Sequence, residues 1–306
     1  MRLVRRKMIS IWKQVAQKDA KRLATQQPVA GVAALAGLPY LEDGHPLHRL
    51  NVYFPENTTG LLPTIIDIHG GGWMYGDCEL NRQYCMHLAS EGFAVMAMSY
   101  RLLPEVDLQG MVADVFASLH WLARNGAQHH CDLNRVFLTG DSAGGHLTGL
   151  VTCIQLSPQL QRIYSVQPVG FAIRAIAISH GVCNVTDFGA SGLQGWLVAR
   201  EMRQMLYGKR GKHAPWYGHA SFHETAAGLD LPPVLVISSE PDGFFAQSKA
   251  LAQCLQSMGV AHETKFWPRD QGERLGHVFP ILFPDWPESV QTNQQMIAFF
   301  RRAVEE

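Results

Sequence analysis

The sequence predicts an α/β fold built on a doubly wound, mostly parallel sheet with a helical cap. Short β-branched runs alternate with amphipathic helical stretches along most of the chain, which is the pattern of a parallel sheet flanked by helices. Between about 183 and 228 this alternation stops. That stretch is too long for a simple connection and too apolar for a disordered linker. We expect it to be a helical insertion above the carboxyl edge of the sheet.

The predicted elements follow from local periodicity and from the turn residues between them. The predicted strands are 48–54, interpreted as an edge strand, and then 64–68, 93–100, 136–138, 173–179, 233–238 and 262–267. The predicted helices cover 108 to about 125, 143–151, 246–258 and 288–304. Residues 24–45 contain several glycines and prolines, so we expect loop and short helix there.

Composition places the chain among ordinary globular proteins. It has 306 residues, of which 47% are hydrophobic and 17% charged, enough for one large α/β domain or two smaller ones. The formal net charge of zero gives no global attraction to nucleic acid or membrane, and no nucleic-acid partner is expected. The six cysteines stand singly, which predicts free buried thiols of a reducing, cytoplasmic compartment rather than disulfides or a metal site. They are residues 78, 85, 131, 153, 183 and 254.

The first 22 residues are strongly basic, and charges interrupt every apolar run in them. We therefore expect neither a signal peptide nor a membrane span. Stable insertion into a membrane is not expected either. The apolar residues instead recur at helical spacing on one face; they are Val4, Met8, Ile11, Trp12 and Val15. Such a helix can lie on an anionic membrane, but docking on its own protein is the more common arrangement and is the one we favour.

A G-x-S-x-G pattern at 140–144 lies between a predicted strand and a predicted helix. In that context the pattern predicts a nucleophile elbow, a tight turn that exposes a serine hydroxyl, here Ser142. Side chains at positions 140 and 144 would clash in such a turn, and glycine avoids this. The pattern alone arises by chance in about one chain in ten of this length, so other motifs must support it.

A second motif, His69-Gly-Gly-Gly-Trp73, follows the buried strand 64–68. Three successive glycines let backbone N–H groups turn inward and leave room for a ligand oxygen. A flexible loop or a phosphate-binding turn is the alternative. The nucleotide interpretation is weak, because no glycine-rich phosphate-binding pattern leads from a strand into a helix.

A serine nucleophile requires a base, and the base requires an orienting acid. In this topology the chain order is serine, acid, histidine. Two carboxylates follow the strand 233–238; Asp242 in the loop is favoured over Glu240, which lies nearer the strand. His277 stands in the glycine-containing loop after the last strand and is the predicted base. The histidines at 129, 130, 213, 219, 223 and 262 lie in turns, in the insertion or at a strand start, without metal-ligand spacing.

Together these motifs resemble the hormone-sensitive-lipase family of α/β-hydrolase-fold carboxylesterases and lipases. The resemblance rests on HGGGW at 69–73, YRLLPE at 100–105, GDSAGG at 140–145 and the loops of Asp242 and His277. It covers about residues 48–300. The resemblance implies an α/β-hydrolase fold and hydrolysis of small, short-chain acyl esters without a cofactor. Residues 106–110, Val-Asp-Leu-Gln-Gly, depart from the family pattern, which leaves the acyl and alcohol preference open.

The resemblance also implies the remaining site residues and the domain organisation. The oxyanion donors would be the backbone N–H groups of Gly71, Gly72 and Ala143. The cap would consist of an N-terminal segment, 1–45, and the insertion at about 183–228, within a catalytic domain spanning 46–306. Four aromatic residues could narrow the pocket toward small acyl groups; they are Trp73, Tyr75, Trp196 and Trp216.

Other functions stay open at this point. The same residues could cleave an amide, as in arylformamidases, and a protein of this fold could bind a ligand without catalysis. A peptidase of this fold usually carries a large extra domain, for which 306 residues leave no room. An exposed edge strand could mediate a homodimer.

Overall fold

The computed structural model describes residues 2–186, 188, 192–271 and 274–304. Its centre is a sheet whose six inner strands are mostly buried, as expected for strands covered on both faces. In chain order the strands are β1 Val32–Pro39, β2 Arg49–Pro55, β3 Leu62–Ile68, β4 Ala94–Met98, β5 Cys131–Asp141, β6 Ile173–Ser179, β7 Val234–Ser239 and β8 His262–Trp267.

The strands lie in the spatial order β1-β2-β4-β3-β5-β6-β7-β8. The pairs β1–β2 and β2–β4 are antiparallel, and every other pair is parallel. The carboxyl ends of β3, β5, β7 and β8 therefore meet at one edge, where the loops that follow them can form a site. The doubly wound, mostly parallel sheet predicted from the sequence is confirmed.

Helices cover both faces of the sheet and enclose two hydrophobic clusters, one on each face. They are α1 Arg2–Thr25, α2 Arg82–Ser90, α3 Leu108–Asn125, α4 Ala143–Leu156, α5 Pro158–Tyr164, α6 Gly192–Leu206, α7 Phe222–Thr225, α8 Phe245–Ser257, α9 Phe279–Leu282 and α10 Pro287–Arg302. Short 3₁₀ helices span Gly126–His129, Gly208–His213 and Arg269–Gln271. The predicted insertion is helical, with α6, a 3₁₀ helix and α7.

The expectation of loop and short helix over 24–45 is wrong, because Val32–Pro39 forms β1. This strand pairs with β2 from Val32 opposite Pro55 to Pro39 opposite Arg49, with a register shift between Leu35 and Leu38. Its small residues and that irregularity hide the alternation that marks a strand. Consequently β2 is not an edge strand as predicted, since β1 covers it.

The basic N-terminal helix α1 packs against the protein. Met8 is buried in the larger hydrophobic cluster, and Val4 packs against it. Arg5 Nε donates to Glu201 Oε1 of α6 at 2.6 Å, and the Glu201 side chain is buried. Ile11, expected on the packed face, is instead half exposed. None of the described helices is long and apolar enough to cross a membrane.

All six cysteines are free thiols, as predicted. Five are buried, and Cys254 is partly exposed. Burial raises the pKa of the Cys131 and Cys153 thiols to about 12, so these groups stay protonated and inert at neutral pH.

Candidate active site

Ser142 stands at the turn between β5 and α4 in a strained backbone conformation. Its φ of 51° lies in the left-handed region, which a serine adopts only when its surroundings hold it there. A Cβ at Gly144 would lie 1.8 Å from the Ile68 carbonyl oxygen, and one at Gly140 would lie 2.5 Å from the Gly144 carbonyl oxygen. Both glycines of the motif are therefore required by close backbone packing.

The structure brings Ser142, His277 and Asp242 into one hydrogen-bonded line. Ser142 Oγ lies 2.9 Å from His277 Nε2, and His277 Nδ1 lies 2.9 Å from Asp242 Oδ1. Because a carboxylate can only accept, Nδ1 carries a proton and Nε2 is free to accept from the serine. Ser142 and Asp242 are buried, whereas the His277 side chain is 36% exposed.

Two opposing effects act on Asp242. Burial raises the pKa of the carboxyl, but the hydrogen bond and positive charge of His277 lower it more, so the net pKa is below its usual value. The Phe244 backbone N–H also donates to Asp242 Oδ1 at 3.1 Å. The carboxylate is therefore ionised at neutral pH and available to stabilise a protonated imidazole.

Glu240, the competing carboxylate, points elsewhere. Its Oε2 accepts a hydrogen bond from the Arg269 backbone N–H at 2.9 Å, and its side chain is exposed. Glu240 thus connects the loops that follow β7 and β8, while Asp242 reaches His277. Of the two carboxylates, the one favoured from the sequence is thus the one that contacts the predicted base.

His180 is a neighbour of the triad that the sequence analysis missed. It is fully buried, with Nδ1 3.1 Å from Ser179 Oγ and Nε2 3.3 Å from Ser239 Oγ. Its ring meets His277 edge to face, with 5.9 Å between centroids. Burial, aided by the charge of His277 and opposed by that of Asp242, lowers the pKa of His180 to about 3. The side chain therefore packs against the base without adding a second positive charge.

Gly71, Gly72 and Ala143 bring three backbone amides to the same edge of the sheet. Gly71 and Gly72 have φ values of 102° and 58°, which favour glycine. A Cβ at Gly71 would lie 2.0 Å from the Tyr75 carbonyl oxygen. Ala143 is the first residue of α4, where a helix has unpaired N–H groups and a positive dipole end. None of the three amides donates to another residue in the described part of the chain.

A buried polar network fixes the glycine loop to the elbow. The Gly70 backbone N–H donates to Asp141 Oδ1 at 2.9 Å, and Asn81 Nδ2 donates to the same oxygen at 2.9 Å. Asn81 Nδ2 also donates to Asp67 Oδ2 at 3.0 Å. Burial, with the nearby charge of Asp141, raises the pKa of Asp67 to about 8. Asp67 is therefore largely protonated at neutral pH, which avoids two buried negative charges side by side.

The N-terminal helix contributes an aromatic side chain next to this loop. A Cβ at Gly72 would lie 2.2 Å from a ring carbon of Trp12, so the indole lies directly against the glycine. The Trp12 ring stacks on Tyr75 with 5.6 Å between centroids, and the Tyr75 hydroxyl donates to Asp19. Trp12 thus forms a wall beside the oxyanion loop.

The four aromatics suggested by the sequence occupy different places. Trp73 and Trp216 are buried in the core, where Trp73 Nε1 donates to His146 Nδ1 at 3.3 Å. Trp196 is 48% exposed on the outer surface of α6. Tyr75 alone of the four stacks on Trp12. No group of three or more His, Cys, Asp or Glu side chains with metal-binding geometry occurs among the described residues.

A sequence profile for the alpha/beta hydrolase fold matches residues 65–278 and so spans the elbow, Asp242 and His277. The chain belongs to this family. In a crystal structure, esterase B from Lactobacillus rhamnosis is 40% identical, with a TM-score of 0.94 over 99% of this chain and 96% of that one. The same esterase inhibited by a C4-C4 SN3 tributyrin phosphonate is 39% identical over 100% of this chain and 96% of that one, again with a TM-score of 0.94.

Curated relatives match over a shorter stretch. A probable isoprenylcysteine alpha-carbonyl methylesterase from Arabidopsis thaliana is 31% identical over 105 residues, which are 34% of this chain and 25% of that protein. The match thus spans about a quarter of the length of such curated relatives. The assignment from sequence motifs to a family of carboxylic ester hydrolases is confirmed.

Proposed function

We propose that the protein hydrolyses small, short-chain acyl esters through an acyl-enzyme on Ser142. The observation that carries this proposal is the line of hydrogen bonds from Ser142 Oγ through His277 to Asp242, each 2.9 Å long. A tributyrin phosphonate inhibits the esterase B that this chain resembles over its full length. That relationship supports butyryl-sized acyl groups as the starting point for the substrate search.

In the first half of the reaction, His277 Nε2 removes the Ser142 proton as Oγ attacks the ester carbonyl carbon. The resulting imidazolium is stabilised by the ionised Asp242, which accepts from Nδ1. The carbonyl oxygen becomes an oxyanion and takes hydrogen bonds from the amides of Gly71, Gly72 and Ala143. Each such donor contributes about 10²–10³ in rate. The tetrahedral intermediate collapses, and the alcohol leaves with the proton from His277.

In the second half, a water molecule replaces the alcohol. His277 takes a proton from this water, which attacks the acyl carbon, and the same amides hold the second oxyanion. Collapse releases the carboxylic acid and returns the proton to Ser142 Oγ. The 36% exposure of the His277 side chain gives water a route to the base.

The nucleophile is tested by Ser142→Ala with p-nitrophenyl butyrate as the substrate. Turnover should fall by about 10⁶, because the acyl-enzyme cannot form. An organophosphate should label the wild-type protein on Ser142, as located by peptide mass spectrometry, and should leave the variant unlabelled. A variant that keeps most of the activity would contradict the role of Ser142.

The leaving group is tested separately. Wild-type turnover of an aryl ester and of the matching aryl formamide should favour the ester, since an amide has the poorer leaving group. A higher kcat/KM for the formamide would assign the same residues to amide hydrolysis instead.

We also place the protein in the cytoplasm as part of this proposal, which the six free thiols support.

A further inference from the structure

Positive charge is concentrated in two segments that pack on each other. Residues 2–25 and 192–213, which form α1, α6 and the 3₁₀ helix after α6, contain 13 Lys or Arg and two Asp or Glu. Their formal net charge is +11, whereas all other residues together carry −11. We call this pair of segments the basic cap. The zero net charge of the chain therefore hides a strong separation of charge.

The basic side chains of α1 lie on its outer face. Met8 and Trp12 point inward, toward the core and the oxyanion loop, whereas five basic residues on the opposite side are exposed. These five are Arg6, Lys7, Lys13, Lys18 and Lys21. One face of the helix thus packs against the protein, and the opposite face exposes its cations to solvent.

Several large apolar side chains among these cations are exposed to solvent. Leu3 is 80% and Ile11 49% exposed on α1, and Leu193 is 73% exposed on α6. Trp196 of α6 is 48% exposed, and Arg200 lies 5.3 Å from the centroid of its ring. Cations interleaved with large apolar side chains are typical of surfaces that meet an anionic lipid layer.

Contacts hold the two segments together as one surface. Arg5 of α1 is bonded to Glu201 of α6 at 2.6 Å. Arg5, Lys209 and Arg210 also line one groove of about 760 Å³, which Glu105 and Asp107 border on the side of α3. Arg5 of α1 and Lys209 and Arg210 after α6 therefore lie next to one another on the same side of the molecule.

We propose that the outer face of the basic cap docks on an anionic lipid–water interface. Its charge complements phosphatidylglycerol-like headgroups, and its exposed Leu3, Ile11 and Trp196 can enter the headgroup layer. A nucleic acid would match the charge but would leave the aliphatic side chains in water. Docking would bring the protein to a surface where amphiphilic molecules collect. The helix that meets this surface, α1, contacts Gly72 of the oxyanion loop with its inner face.

The test is co-sedimentation of the full chain with vesicles. We expect binding to equimolar phosphatidylglycerol and phosphatidylcholine, none to pure phosphatidylcholine, and loss of binding at high salt. Each basic residue near an anionic surface contributes about fivefold, so Lys7→Glu/Lys18→Glu should weaken binding at least about 25-fold. The matched control, Arg124→Glu/Lys249→Glu, reverses two exposed charges outside the basic cap and should bind as the wild type does.

A second variant separates lipid from other polyanions. Leu3→Ser/Ile11→Ser keeps every charge, so it should weaken vesicle binding at least fivefold and leave binding to heparin unchanged. No binding to anionic vesicles, equal losses in the cap and control variants, or a Leu3→Ser/Ile11→Ser variant that binds vesicles like the wild type would overturn the proposal. Hydrolysis of soluble p-nitrophenyl acetate should be unchanged in all variants, so failure of docking and failure of the proposed esterase activity are distinguishable.

Discussion

Glycines at the carboxyl edge of the sheet and glycines in the cap have different surroundings. A Cβ at Gly144 or Gly71 would lie 1.8 or 2.0 Å from a carbonyl oxygen, whereas one at Gly192 or Gly211 would have nothing within 4 Å. The edge of the sheet is thus packed backbone against backbone, and the residue type is fixed by sterics. Gly192 and Gly211 instead have open space around them, where neighbouring atoms impose no such requirement.

Polar groups differ between the two regions in the same way. At the edge, Asp67, Asn81 and Asp141 are buried and bonded to one another and to Gly70. In the basic cap, by contrast, most Lys and Arg side chains are exposed. A buried network requires particular side chains at particular positions, whereas an exposed basic face requires only a net charge. Substitutions should therefore have large effects at the edge and small, graded ones in the cap.

After the loss of the nucleophile in Ser142→Ala, the largest expected effect is that of Asp242→Asn. The amide can donate to His277 Nδ1, which would place the proton on Nε2 and prevent it from accepting from Ser142. We expect kcat on p-nitrophenyl butyrate to fall by about 10⁴ with an unchanged fold. Glu240→Gln is the matched control and should keep near wild-type activity. Comparable losses in both variants would contradict the assignment of Asp242.

The next largest effect concerns packing. Gly144→Ala places a methyl group against the Ile68 carbonyl oxygen, and neither backbone can move without shifting β3 or α4. We expect a loss of about 3 kcal/mol or more in the free energy of unfolding, measured by urea denaturation, and loss of activity. Gly211→Ala in the cap should cost only about 1 kcal/mol, from its φ of 53°. Equal costs at the two positions would remove the distinction between edge and cap.

This distinction also explains how far the sequence could predict the structure. Gly140, Gly144, Asp242 and His277 are constrained by geometry and chemistry, so their pattern could be recognised, and the structure brings the last two to Ser142. The position of His180 beside the triad could not be predicted, because no residue pattern around it in the sequence indicates that it packs against His277.

The N-terminal region was predicted less well for a related reason. Strand β1 is made of small residues with a register shift, which conceals its period of two. Helix α1 was recognisable from its periodicity, but the place where Trp12 lands depends on tertiary packing. A sequence signal that depends on a partner far along the chain is absent from any local window.

A pH effect of intermediate size is expected from Asp67→Asn. The pKa of Asp67 is raised to about 8 in the folded protein, so its stabilising contribution is full below about pH 4 and is lost as the pH rises through 8. Asparagine lacks this contribution. The unfolding free energy of the variant, relative to the wild type, should therefore rise by about 1.4 kcal/mol per pH unit between pH 5 and 7.

Three buried histidines give the unfolding free energy the opposite pH dependence. They are present in both the variant and the wild type, so their contribution cancels in the difference between the two proteins. Burial lowers the pKa of His69 and His146 to about 4 and that of His180 to about 3, so acidification below about pH 6.5 favours the unfolded state of both proteins. Urea titrations at several pH values would measure the difference directly. A difference that stays constant with pH would show that Asp67 is ionised in the fold.

The smallest expected effect is a change of selectivity at the boundary between the two regions. Trp12 belongs to the cap helix but lies against Gly72 of the oxyanion loop. Trp12→Ala removes this wall, so longer acyl chains should fit. We expect the ratio of kcat/KM for p-nitrophenyl octanoate to that for the butyrate to rise at least about tenfold, since each extra methylene bound in a pocket contributes about 1 kcal/mol or more and one or two of them suffice for that factor.

Trp196→Ala provides the control, because Trp196 is exposed on the outside of α6 and its ring contacts Arg200 instead. It should leave the ratio unchanged on these soluble esters. If Trp12→Ala lowers kcat equally for both esters, Trp12 only supports the oxyanion loop and does not limit chain length. A raised ratio with nearly constant kcat on butyrate would instead show that an inward-facing side chain of the cap sets acyl preference, while its outward-facing ones have no part in the chemistry.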